Sequence, residues 1–117
     1  MADVVALVDD LFFQSKMMET ARHVGVTLKT CSTGDALLAE IESTPPKLIV
    51  LDLNARNNPL DAVVRVRATG NPAPLIAYLS HVQTELAEQA RAAGCQDVMP
   101  RSKFTANLAA IFAGAKS

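Results

Sequence analysis

Tryptophan is absent, tyrosine occurs once, and aromatic residues make up only 4% of the 117-residue chain. Stacking platforms for bases or sugars are therefore missing. Neither sign of charge dominates: 11 Lys and Arg stand against 12 Asp and Glu, for a formal net charge of −1. No basic run stands out, which excludes the broad electrostatic footprint of a nucleic-acid binder. Cysteine is scarce as well. Cys31 and Cys95 are too few for a disulfide scaffold and too far apart for a zinc-ligand pair. No apolar run approaches the ~18–20 residues that a membrane helix needs. The opening residues up to Asp10 carry no positive leader, so a cytoplasmic location is expected. What remains is a composition that is 50% hydrophobic and 20% charged, that of a folded chain rather than a disordered one. The length suits one domain over residues 1–117.

Short β-branched runs alternate with longer helical patterns. The apolar runs are Val4 to Val8, Val26 to Cys31, Leu48 to Leu51, Leu75 to Leu79, and a weaker one from Cys95 to Met99. Their spacing is about that of a strand, a helix and two turns. Leu48 to Leu51 shows no polar alternation, as expected of a strand covered on both faces. Helical stripes lie between the runs: Phe13, Met17, Ala21 and Val24, stopped by Gly25; then Leu37, Leu38 and Ile41, stopped by Pro45 and Pro46. Asp61 to Ala68 is a poorer helix because Val63, Val64 and Val66 lower its propensity. Val82, Leu86 and Ala90 form a fourth stripe, and Phe104, Leu108, Ile111, Phe112 and Ala115 a last one. Five βα units with right-handed crossovers predict an α/β fold, a doubly wound five-stranded parallel sheet with helices on both faces; the flavodoxin-like order 2-1-3-4-5 is taken for it. A closed eight-fold barrel would need about twice the length.

The polar residues fall at strand ends. Asp9 and Asp10 close the first strand, Asp52 the third and Ser80 the fourth, and Arg101 follows the fifth. In open parallel sheets, sites form outside the carboxyl ends of the strands, where the winding reverses. Strands one and three are neighbours there, which brings three carboxylates into one crevice. Their repulsion is relieved by protonation or by a shared hard cation, and an oxygen-only set on such a rim suits Mg²⁺. A carboxylate beside Mg²⁺ is also able to attack a phosphoryl group.

This constellation resembles the receiver domain of two-component response regulators across essentially the whole chain. The residues that carry the resemblance are the acidic pair after Leu7 and Val8, the Asp closing Leu48 to Asp52, the hydroxyl closing Ala77 to Ser80, and the approach from Ala92 to Arg101. The resemblance implies that Asp52 accepts a phosphoryl group. It further implies that Asp9, Asp10, Asp52 and the main-chain carbonyl of Asn54 hold Mg²⁺, and that Ser80 and Arg101 contact the phosphoryl oxygens. A sensor histidine kinase or phosphotransfer protein would be the donor. Output would pass to a downstream protein through the face from the fourth to the fifth helix, around Val98, His81 and the last two helices.

Several residues depart from the family pattern. Arg101 stands where the family has Lys, and the two are not interchangeable at a point-charge site. Ser102 replaces the usual Pro, His81 a small residue, and Val98 the aromatic switch of the fifth strand. These departures define the alternative, a pseudo-receiver that acts as an interaction module without phosphate. An Asp-nucleophile phosphatase would want Asp-x-Asp, whereas the triplet here is Asp52, Leu53 and Asn54. A flavin site would want a hydroxyl- and glycine-rich loop after the first strand, which is occupied by Leu11, Phe12 and Phe13. Cys31 and Cys95, on opposite edge strands, read as packed hydrophobes, and of Met17 and Met18 one should point outward.

Overall fold

The computed structural model describes residues 2–56, 58–80 and 83–116. Five strands and six helices follow one another along them, alternating up to α5: β1 Val4–Leu7, α1 Leu11–Val24, β2 Leu28–Cys31, α2 Gly34–Ser43, β3 Leu48–Asp52, α3 Pro59–Ala68, β4 Leu75–Leu79, α4 Thr84–Ala93, β5 Asp97–Pro100, α5 Arg101–Ala106 and α6 Leu108–Ala113. All strand pairs are parallel and the sheet order is β2-β1-β3-β4-β5, as expected.

Side chains alternate across the pleat, so each strand feeds two cores. Val5, Leu7, Ile49, Leu51, Leu75, Ala77, Leu79 and Val98 pack against Leu37 and Ile41 of α2, Ala62, Val63 and Val66 of α3, and Ala90 of α4. Val4, Ala6, Val50, Tyr78 and Met99 face the other way, against Phe13, Met17 and Ala21 of α1, Phe104 of α5, and Leu108 and Phe112 of α6. The valine-rich α3 is helical despite its propensities, because Ala62, Val63 and Val66 are buried and Pro59 opens the first turn. Gly25, at φ 90°, closes α1 in the left-handed region, which favours glycine.

The details depart from the sequence reading at element ends. The last helical stripe is two helices rather than one. Asn107 interrupts it at φ −108° and ψ 9°, off helical geometry, with its side-chain amide and its own N–H both donating to the Lys103 carbonyl. Phe104, Leu108 and Phe112 still share one buried face across the break. β2 starts at Leu28 and not Val26, whose N–H is spent on the Ala21 carbonyl at the end of α1. β5 starts at Asp97, because the Cys95 N–H likewise closes α4 on Ala90. Cys95 therefore precedes its strand, and both cysteines are buried free thiols. Met17 is buried and Met18 exposed. Val82 and His81 lie outside the described residues. Val98, expected on a docking face, points into the core at 5% exposure, since its alternation sets it toward α4.

Candidate functional site at the carboxyl ends of the strands

Asp9, Asp10, Asp52, Ser80 and Arg101 all stand at the carboxyl edge of the sheet, after β1, at the end of β3, after β4 and after β5. Asp52 is the buried acidic residue of the chain, at 2% exposure among the described residues. The last pair in the β3–β4 register holds it opposite Tyr78. Its Oδ1 accepts the Asn54 N–H at 2.8 Å, and its Oδ2 lies 3.8 Å from Arg101 Nη2. Burial raises its carboxyl above the usual range, and Asp9 and Asp10 add to that rise. The Asn54 N–H and Arg101 oppose it.

Asp10 has two duties. Its Oδ1 caps α1, accepting from the N–H groups of Phe12 at 3.0 Å and Phe13 at 3.3 Å. Its Oδ2 meets Arg101 Nη1 at 3.4 Å. Asp9 is held separately. Its Oδ2 accepts both the backbone N–H of Arg56 at 3.0 Å and the guanidinium Nε at 3.2 Å. The backbone donor lowers the Asp9 carboxyl most, with the Arg56 side chain adding to it against a smaller effect of burial.

Arg101 thus bridges two carboxylates, and its position is fixed from behind by aromatic rings. Its guanidinium carbon lies 5.2 Å from the Phe13 ring centroid and 5.7 Å from that of Tyr78. Tyr78 stacks on Phe104 with centroids 4.7 Å apart, and Phe13 packs against both rings. A cation against such faces gains about 0.5–2 kcal/mol, and a planar guanidinium matches them better than an ammonium does. The Arg101 Nε and the Tyr78 hydroxyl are buried without a protein hydrogen-bond partner. Burial, reinforced by the Asp52 charge, holds the Tyr78 phenol far above its ordinary range, so it stays neutral.

Ser80 is exposed, and its backbone N–H donates to Asn54 Oδ1. The Asn54 Nδ2 continues to Gln83 Oε1 at 2.9 Å. The loop after β3 is therefore tied to the end of β4 and to the entry of α4.

By residue type, three carboxylates suit a hard cation. Each already carries an arginine nitrogen, and among the described residues no group of three or more His, Cys, Asp or Glu is set to hold a metal ion. Arg56, the Asn54 side chain and the Phe13–Tyr78–Phe104 cluster were not legible as parts of the site in the sequence.

No family model matches the sequence, and no curated protein matches it. Solved structures do. The receiver domain of NtrX from Brucella abortus superposes with a TM-score of 0.79 at 19% identity, over 96% of this chain and 98% of that one. The signal receiver domain of the response regulator NarL from Mycobacterium tuberculosis gives a TM-score of 0.82 at 18% identity, over 97% and 95%. In another NtrX structure, at TM-score 0.80, this chain spans only 27% of the length of that chain. The chain has the fold of response-regulator receiver domains.

Proposed function

We propose that this domain is a signalling module of the receiver fold that works by docking to another protein, with Arg101 and Arg56 neutralising its acidic pocket in place of a divalent cation. The observation that carries this reading is the bridge from Arg101 to Asp10 and Asp52 at 3.4 and 3.8 Å. Arg56 supplies the corresponding charge for Asp9. Three negative charges then face two positive ones within the protein itself, and the repulsion that would recruit Mg²⁺ is largely answered. A guanidinium on the buried Asp52 also stands where an incoming phosphoryl group would have to approach.

A second reading is favoured by the arrangement of Asp52, Ser80 and Arg101 at adjacent strand ends. In it Asp52 accepts a phosphoryl group from a histidine kinase or phosphotransfer protein, with Arg101 as the basic residue and Mg²⁺ bound by Asp9, Asp10, Asp52 and the Asn54 carbonyl. It requires both arginines to leave the carboxylates. The two readings separate on intact mass after incubation with acetyl phosphate and Mg²⁺, beside an Asp52→Asn control. The docking module gains no mass. A phosphoryl adduct on the parent chain that is lost in the control overturns it and establishes the second reading.

In either reading the acidic pocket belongs to a two-component type of signalling, and output passes through a protein contact. A face near α4 offers a cleft of about 180 Å³ lined by Leu79, Gln83, Thr84, Ala87, Arg91 and Met99, among others. In this reading that cleft, beside α4 and β5, receives the partner.

A further inference from the structure

The family resemblance assigns communication between pocket and surface to a strand-end hydroxyl and an aromatic side chain on the fifth strand. Neither is placed for it here. The residue at the aromatic position is Val98, which is buried in the aliphatic core, and no hydrogen bond links the Ser80 hydroxyl to the pocket among the described residues. A different polar connection exists. The Asn54 main chain donates to Asp52 Oδ1, its side-chain oxygen accepts from the Ser80 N–H, and its side-chain nitrogen donates to Gln83 Oε1. Gln83 in turn is the residue from which α4 starts, its carbonyl accepting from the Ala87 N–H at 2.9 Å. It also lines the cleft between α4 and β5.

We propose that Asn54 is the positioning residue that couples the Asp52 carboxylate to the entry of α4, through Gln83, and so sets the shape of the cleft that α4 shares with β5. The inference deepens the docking reading and rests on it only in taking that cleft as the output face. The physical argument is one of satisfied partners. The amide of Asn54 offers one acceptor and two donors, and its acceptor and one donor are committed to groups on the β4–α4 connection. α4 has no side-chain cap of its own, so the Gln83 contact is the specific polar tie at its first turn among the described residues. A change of charge or partner at Asp52 alters the acceptor that fixes the Asn54 main chain. The side chain then moves with it, and both of its partners must follow or lose their hydrogen bonds. The two sites are joined by contiguous hydrogen bonds rather than by proximity alone, and a double-mutant comparison tests that connection.

The test reads amide chemical shifts with no phosphate, metal or partner present, so it stands apart from whether Asp52 accepts a phosphoryl group. Asp52→Ala in the parent chain is expected to move the amide resonances of Ser80, Thr84 and Ala87, and of Ser102 beside Arg101. In an Asn54→Ala background the same substitution should move Thr84 and Ala87 at least threefold less, with the Ser102 shift unchanged. Gln83→Ala should remove the response of Thr84 and Ala87 while leaving that of Ser80, which a merely structural role for Asn54 does not predict. Equal shifts at Thr84 and Ala87 in all backgrounds overturn the proposal, as does their indifference to Asp52→Ala in the parent chain. Should Asn54→Ala fail to fold, the Gln83→Ala comparison decides by itself.

Discussion

The two faces of the sheet are built from different materials. The layer under α1, α5 and α6 holds Phe13, Tyr78, Phe104 and Phe112, whereas the core under α2, α3 and α4 has no aromatic residue among those described. The aromatic side meets Arg101 with ring faces and holds its guanidinium at the mouth of the pocket. The aliphatic side meets the pocket through a hydrogen-bonded loop, Asn54 to Ser80 and Gln83. One side anchors a charge by packing and the other transmits through polar contacts that are individually weak. A few aromatic residues suffice in a chain that has only four Phe and one Tyr, because all of them but Phe12 lie in that layer.

Removing the anchor breaks this contrast most strongly. Phe104→Ala should cost about 3–5 kcal/mol of stability by chemical denaturation, since it opens a cavity beneath Tyr78 and Arg101. Leu75→Ala on the aliphatic side should cost about 2–5 kcal/mol. Only the first should also change the near-ultraviolet circular dichroism of Tyr78. Equal spectral changes in both variants would remove the distinction between the layers.

Arg101→Ala comes next, at about 1–3 kcal/mol for leaving Asp52 buried without its cation. The value stays below that of a fully buried pair because Arg101 is about one-third exposed and the Asp52 contact is 3.8 Å long. Arg101→Lys should recover less than half of the loss, because an ammonium cannot span both carboxylates while facing two rings. Full recovery would show that charge alone matters.

Asp52 and Asp9 then separate on pH. The Asp52 carboxyl is raised in the folded state, mainly by burial, so the fold holds its proton more firmly than the unfolded chain does. Its contribution to stability is therefore most favourable below the unfolded pKa and declines as pH rises through the folded one. Asp52→Asn should accordingly stabilise the protein at neutral pH, with the gain shrinking in acid. Asp9, lowered chiefly by the Arg56 N–H, runs the other way. Its contribution is present above the unfolded pKa and is lost as pH falls through the folded one. Denaturation midpoints of the two Asn variants between pH 3 and 7 check both signs. The smallest effect belongs to Arg56→Ala, about 0.2–1 kcal/mol, since that side chain is 86% exposed and the backbone donor to Asp9 survives.

The fold class was legible in the sequence because apolar runs and helical stripes report burial directly and right-handed crossovers lead to an open parallel sheet, while the order 2-1-3-4-5 came from taking the flavodoxin-like arrangement. The break at Asn107 was not, since the apolar stripe continues through it and only the backbone angles of one residue mark the end of the helix. The acidic cluster was legible for the same topological reason that places strand ends together. Its arginine partners were only half so. Arg101 follows a strand and could be placed, whereas Arg56 sits in a loop whose path no periodicity encodes. The aromatic cradle of Arg101 has no signature in the sequence, because Phe13 and Phe104 read as ordinary core positions on their helices, and Tyr78 as one residue of an apolar strand. The family resemblance sets Val98 on a docking face, whereas the structure buries it. Its alternation with Met99 in β5 already assigned the two side chains to opposite cores.

The central claim is that the two arginines replace a divalent cation in the pocket, and calorimetric titration of Mg²⁺ tests it most directly. The parent chain should show no binding at millimolar Mg²⁺, and the Arg56→Ala/Arg101→Ala double variant should gain binding that is lost again on Asp52→Asn. Binding by the parent chain that disappears with Asp10→Asn or Asp52→Asn would contradict the account.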